Sequence, residues 1–423
     1  MSGTALTQAL AAARQAYAAR NPTSRARWES AARAMPGGNT RTILFFDPFP
    51  LCMVRGEDCH LFDADGHRYV DLLGEYSAGL FGHSNPVIRA AVIGALGGGI
   101  SLSAHNDAES RLANLLRERY GSMELIRFTN SGTEANLMAI ATAIAFTGRR
   151  RILVFDGAYH GSVLKFGGER SPINVPHDFL MARYNDIEAV RALIRRNANE
   201  LAGVLVEPML GSGGCIPGDP EFLHMLAEEA RSAGALLIFD EIQTARLSAG
   251  GRQALLGIRP DLTTLGKYHG GGLSFGAFGG RADVMSQYDP RHPDHLSHAG
   301  TFNNNVLSMA AGYAGLSSIA TAEALDRLNR RGDALRESLE ALFSETRAGL
   351  RVSGLGSLLN IHAGGIAAAD APAAALLFFD LLERGFYCAP RGFMALSLAV
   401  EDGHLRDFLA AMRDILTLRS GLL

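Results

Sequence analysis

The hydrophobic rhythm of the chain changes several times along its length. Up to Pro36-Gly37-Gly38 the spacing predicts two short helices. Residues 51–73, LCMVRGEDCHLFDADGHRYVDLL, hold three short alternating runs. They are split by Gly56-Glu57-Asp58 and Asp63-Ala64-Asp65-Gly66, which predicts a β-meander. From about residue 86, amphipathic helical spacing alternates with brief apolar runs. These are RILVF (151–155), GVLVE (203–207), ALLIFD (235–240), LTTLG (262–266) and FGAFGG (275–280). Most are almost unbroken, as expected of strands buried on both faces of a helix-covered sheet. After GTFNNNV (300–306) a long helical region begins. The tail then alternates LGSLLNIHA, a helix near 372–385, MALSLAV and a last helix near 403–416. The pattern predicts an α/β protein with a large central domain over 74–310. A smaller domain is expected from the two chain ends, 1–73 and 311–423.

Composition narrows the function classes. With 423 residues, 47% of them hydrophobic, the chain can bury a large core in two or more structural units. The net charge of −3 is scattered, and no basic tract follows a phosphodiester backbone, which argues against nucleic acid. No run approaches the ~18 apolar residues of a membrane span. The opening MSGTALTQALAAARQAYAAR is alanine-rich but interrupted by polar residues, so it reads as a helix and not a secretory signal. Cys52, Cys59, Cys215 and Cys388 are far apart without a CxxC spacing. They fit reduced thiols of a cytoplasmic enzyme better than a disulfide frame or a zinc site.

One charge choice stands out. Of 40 basic residues only Lys165 and Lys267 are lysines. A lysine amine can lose its proton and form an imine; a guanidinium can do neither. Chance alone also leaves a few lysines in an arginine-rich chain, so the surroundings of Lys267 decide. Ser131-Gly132-Thr133 open a helical stretch, either as a phosphate cradle or as an ordinary N-cap with Glu134 in the first turn. Tyr159-His160 follow a buried strand, as a stacking ring with a hydrogen-bonding partner or as structural residues. Asp240 ends an apolar strand, paired either with an arginine or with a pyridinium N–H that it keeps protonated. A phosphate cradle, a flat stacking ring, a carboxylate and an amine together describe a site for pyridoxal 5′-phosphate (PLP). Strand ends are where open α/β sheets bind ligands.

The motifs NSGTEAN, YHG, VEP, FDEIQT, TLGK and GTFNNNV resemble the class III aminotransferases of PLP fold type I, over essentially the whole chain. Within that class the resemblance is to the branch holding glutamate-1-semialdehyde aminomutases and β-phenylalanine (aromatic β-amino acid) aminotransferases. TRTILFFDPFPL, LTTLGKYHGGGLSFGAFGGRADVM and PRGFMALSL are closer to the latter. The resemblance implies a mainly parallel seven-stranded sheet in the large domain and a smaller α+β domain. It implies that Lys267 joins the cofactor as an imine and then shuttles a proton, and that Asp240 pairs with the pyridine nitrogen. Ile242 and Tyr159 would pack on the two ring faces, with His160 beside the ring. Ser131, Gly132 and Thr133 would hold the phosphate, with Thr301 reaching it from a second subunit of a homodimer. Glu207 is expected near the ring hydroxyl, and Gln243 is assigned nothing.

Both substrates of an aminotransferase carry carboxylates, and bidentate pairing favours arginine. In this branch Arg41 and Arg391 are the candidates, with Phe45 as an apolar wall and Phe46 read as core. The expected reaction moves the amine of an aromatic β-amino acid to 2-oxoglutarate or pyruvate. The alternatives are a glutamate-1-semialdehyde-type isomerase and a catalytically silent PLP-fold scaffold. The presence of both Lys267 and Asp240 argues against the scaffold.

Overall fold

The computed structural model describes residues 2–167, 171–365 and 370–423. The chain forms two compact units, one of residues 86–327 and one joining 1–85 to 328–423. The boundaries fall at 85/86 and 327/328, and not at the expected 73/74 and 310/311. Two packing contacts move them. Gly74 lies so close to the strand Phe393–Ala395 that a Cβ on it would meet the Ala395 carbonyl oxygen at 2.3 Å, which ties 74 onward to the terminal unit. The helix Val306–Ser318 packs on the helices Pro86–Leu96 and Asp107–Arg119, and so stays with the central unit.

The central unit is built on a seven-stranded sheet. Its order is Leu125–Thr129, Gly276–Gly280, Leu262–Gly266, Leu236–Asp240, Leu201–Val206, Arg151–Phe155 and Asp178–Ala182. Five strands, from Leu262–Gly266 to Asp178–Ala182, run parallel as successive neighbours. Gly276–Gly280 runs antiparallel to both of its neighbours, which makes the sheet mixed. The four central strands from Gly276–Gly280 to Leu201–Val206 are buried at every position, which is why their sequences lack alternation. The two edge strands, LIRFT and DFLMA, have exposed positions, and their apolar runs are two and four residues long; the pattern did not reveal them.

In the terminal unit the expected meander appears as Met53–Glu57, His60–Asp63 and Arg68–Asp71, antiparallel in sequence order. Phe386–Tyr387 adds a fourth strand parallel to Arg68–Asp71. LGSLLNIHA is the second arm of a hairpin, Leu350–Leu355 with Leu358–Ala363. The run MALSLAV is strand only over its start, within Phe393–Ala395. The unit's helices are Ser2–Arg20, Pro22–Ala32, most of Ala322–Thr346, Ala371–Glu383 and Asp402–Leu418. Among the described residues no helix is long and apolar enough to cross a membrane.

Candidate active site

Parallel strands put their carboxyl ends on one edge of the sheet, so residues far apart in sequence become neighbours there. Lys267 follows Leu262–Gly266, and Asp240 ends the adjacent strand in register with Thr264. Glu207 follows the next strand, and Tyr159-His160 the one beyond it. Ser131 caps the helix Gly132–Thr147 by accepting the Glu134 N–H, and the Glu134 carboxylate reaches back to the Asn130 N–H at 2.8 Å.

One cavity of about 140 Å³ is lined by Gly132, Thr133, Tyr159, His160, Gly161, Glu207, Asp240, Ile242, Gln243 and Lys267. Ser131 sits behind this wall as the cap. Thr301 is exposed and is not among the lining residues. Its neighbour Asn303 accepts from Asn130 Nδ2 at 2.9 Å, which draws the 300–305 loop toward the start of the capped helix.

Asp240 is buried and held from several sides. Its Oδ2 accepts from Asn136 Nδ2 at 2.7 Å and from His160 Nδ1 at 2.7 Å, and its Oδ1 accepts the Ile242 N–H at 3.0 Å. No arginine is among these partners, so the salt-bridge reading of Asp240 finds no support. Asn136 is itself fixed, because its Oδ1 accepts from Thr264 Oγ1 at 2.7 Å and its Nδ2 also donates to the His160 carbonyl at 3.0 Å. Asn136 lies one turn into the capped helix. A carboxamide on the mostly apolar buried face of the helix is the signal in the sequence that marks it. Glu207 accepts N–H bonds from Tyr159 at 2.9 Å and Gly211 at 3.0 Å. Burial raises its carboxyl above the usual range; His160 and these donors pull it back, and the Asp240 charge raises it further.

Lys267 has φ of 55°, a left-handed backbone that costs a non-glycine residue roughly 1–2 kcal/mol. The turn Lys267–Gly270 is anchored behind it. His269 Nδ1 donates to the Gly266 carbonyl at 2.8 Å, and its Nε2 accepts from Tyr120 OH at 2.8 Å. Burial pushes His269 down to about 3, so the ring is neutral and both bonds stand at ordinary pH.

The residues present fit PLP. The capped N-terminus at 131–133 offers backbone N–H groups to a phosphate. Gly161 lets its loop approach that helix start closely: a Cβ on it would meet Thr133 Oγ1 at 2.3 Å. His160 Nε2 and Gln243 Oε1 are buried polar atoms without a protein partner in the wall of the cavity. Asp240 retains acceptor capacity beyond its three bonds.

Arg41, Phe45 and Arg391 belong to the terminal unit. Arg41 pairs with Glu75, and its guanidinium lies 5.5 Å over the Tyr76 ring. Tyr76 stacks on Phe393 at 6.0 Å, and the Arg391 guanidinium lies 5.1 Å over Phe393. Two rings thus separate the two guanidinium groups. Phe45 is 43% exposed, whereas Phe46 packs against Tyr17, Phe378 and Phe379.

Comparison with known proteins agrees with this geometry. The family model for aminotransferase class-III matches residues 46–416. A β-phenylalanine transaminase of Variovorax paradoxus is 53% identical, covering 97% of this chain and 96% of the relative. A glutamate-1-semialdehyde 2,1-aminomutase of Sorangium cellulosum is 36% identical, covering 95% and 98%. The crystal structure of a β-phenylalanine aminotransferase from Variovorax paradoxus superposes with a TM-score of 0.97 at 53% identity, covering 99% of each chain. The seven-stranded sheet, the site at its carboxyl edge and these likenesses lead to one conclusion: the chain belongs to the class III aminotransferases and is a PLP-dependent transaminase of fold type I.

Proposed function

We propose that this transaminase takes the amino group from an aromatic β-amino acid of the β-phenylalanine kind and passes it to 2-oxoglutarate or pyruvate. The observation that carries the reading is the 53% identity, over 97% of the chain, to the β-phenylalanine transaminase of Variovorax paradoxus. When bound, PLP supplies an electron sink for the carbanion formed at the substrate carbon. Lys267 Nζ, as the free amine, would take up the proton released from the substrate carbon and then give it up to the cofactor side, which restores the neutral amine. Asp240 keeps its charge turned toward the ring nitrogen, because Asn136, His160 and the Ile242 N–H fix both of its oxygens. Gly132, Thr133 and the Ser131-capped helix end would hold the phosphate, with Tyr159 and Ile242 on the ring faces and Glu207 toward the ring hydroxyl.

For the substrate, Arg41 takes the β-amino acid carboxylate, Phe45 flanks the aromatic group, and Arg391 shares in holding the dicarboxylate acceptor. Arg41 exchanges Glu75 for that carboxylate, so binding replaces one ion pair with another. A homodimer completes the site through Thr301. An apolar surface supports the dimer: the helix Pro86–Leu96 (PVIRAAVIGAL) has no buried residue, and Phe302, next to Thr301, is 60% exposed.

The test is one incubation of purified, PLP-loaded enzyme with 3-amino-3-phenylpropanoate, with and without 2-oxoglutarate or pyruvate. Turnover that needs an acceptor supports the proposal. Absence of that turnover, with acceptor-free isomerisation of a glutamate-1-semialdehyde-type substrate, supports the aminomutase reading instead.

A further inference from the structure

The terminal unit holds a cluster that the aminotransferase reaction does not use. Cys59 follows the turn residue Asp58, and His60 opens the next strand of the meander. His404 lies in the first turn of the last helix, Asp402–Leu418. Although 345 residues separate Cys59 from His404, the Cys59 Sγ is 3.7 Å from His60 Nδ1, 3.7 Å from His404 Nε2 and 3.8 Å from His404 Nδ1. One ligand atom from each of the three residues lies within 4.8 Å of the other two. The thiol is buried and the two imidazoles are partly exposed. A buried sulfur with an open side is what an entering ion requires.

The distances decide which ion fits. Tetrahedral zinc has Zn–S near ~2.3 Å and Zn–N near ~2.0 Å, which gives an S···N edge of about 3.5 Å. Both S···N separations exceed that by only a few tenths of an ångström. The thiolate–imidazole donor set selects a borderline-soft divalent ion over magnesium or calcium, which take oxygen. We propose that Cys59, His60 and His404 form a binding site for one zinc-class divalent ion per chain, with water in the fourth position.

Binding has a definite proton balance. Without metal, the His404 Nδ1 accepts the Glu401 N–H at 3.1 Å, so its Nε2 carries the proton. Cys59 Sγ lies almost equally far from the two His404 nitrogens and 3.7 Å from His60 Nδ1. Ion entry releases the thiol proton to solvent and leaves a thiolate. At His404 the ion takes Nε2 after its proton has moved to Nδ1, or takes Nδ1 directly. Either way the Glu401 N–H loses its acceptor and turns to water at the exposed helix end. The spacing along the sequence concealed the site, since no CxxC or HxxxH pattern brings these three residues together.

The experiment uses the PLP-loaded enzyme without an oligohistidine tag. It is dialysed against zinc chloride, then against metal-free buffer, and assayed for bound zinc; cobalt(II) chloride is the optical probe. The expected result is one retained zinc per chain and a thiolate-to-cobalt charge-transfer band. Cys59→Ser abolishes the band. A His60→Asn/His404→Gln double variant, which leaves the buried thiol in place, weakens zinc binding by more than the roughly ten- to hundred-fold that changes around a ligand cost. Failure of the wild type to retain zinc overturns the proposal. So does stoichiometric zinc, with the band intact, in both variants.

Discussion

Lys267 carries the only side chain in the cavity able to condense with an aldehyde. Lys267→Ala is expected to lose turnover, and borohydride reduction of the wild type should label a peptide containing Lys267. A label on Lys165 would overturn the assignment. Asp240→Asn removes the charge facing the ring nitrogen, and about 3–4 kcal/mol of transition-state stabilisation should go with it. That is a 10²–10³-fold fall in kcat with cofactor still bound, measurable by single-turnover absorbance. For Arg41→Ala, a charged hydrogen bond of ~1.5–3 kcal/mol predicts a roughly ten- to hundred-fold fall in kcat/KM for the β-amino acid. Glu75→Gln should act in the opposite direction and lower KM, because it frees Arg41 from its ion pair. Arg391→Ala should weigh more on 2-oxoglutarate than on pyruvate, which lacks the distal carboxylate. If both arginine variants slow both half-reactions equally, the division of labour between them fails. At this scale Lys267, Asp240 and the Ser-Gly-Thr run stood out by residue type, whereas Glu207 came only with the family resemblance. Asn136 was marked only as a polar residue on a buried helix face, which does not reveal the bonds with Asp240 and Thr264 that give it its role. The left-handed backbone of Lys267 was equally invisible.

Elements show a different division. Interior strands announced themselves by unbroken apolar runs, since both faces are buried. The edges Leu125–Thr129 and Asp178–Ala182 did not: the first mixes polar and apolar residues, and the second offers only the four-residue run FLMA with exposed positions. The contact between Gly161 and Thr133 belongs to this scale, as it joins a strand-end loop to a helix start. With φ of 129° and a Cβ clash near 2.3 Å, Gly161→Ala should push Thr133 away and weaken cofactor retention during dialysis. Unchanged far-UV circular dichroism would separate that loss from unfolding. The link after the meander offers a pH test. Asp71 accepts the Leu73 and Gly74 N–H groups and bonds to His83 Nε2 at 2.8 Å. That bond is the main cause of a raised His83 pKa, opposed by partial burial. A raised folded-state pKa gives stability that is fully present below the unfolded value of about 6.5 and fades as pH climbs through the folded value. His83→Asn should therefore lower Tm more at acidic than at alkaline pH. An equal loss at both would remove the charge from the explanation.

For the whole molecule, the proposed dimer makes cofactor binding depend on protein concentration. Dilution into the monomer range should release PLP, and Thr301→Ala should release it at higher protein concentration. A monomer with full occupancy and activity would overturn that reading. The sequence indicated two units and both chain ends in one of them, but not where they divide. The close approach of Gly74 to Ala395 and the packing of Val306–Ser318 are contacts between distant residues, without a local signature.

The left-handed turn at Lys267 also bears on how this gene can decay. Asparagine is, after glycine, the residue that such a backbone accepts most readily. Lysine and asparagine codons differ only in the third base. A single transversion at codon 267 therefore replaces the amine with a side chain that the turn tolerates, with little cost in folding for cellular quality control to detect. Lys267→Asn should therefore keep the backbone of the turn while losing the imine-forming amine, and unchanged far-UV circular dichroism alongside lost turnover would show it.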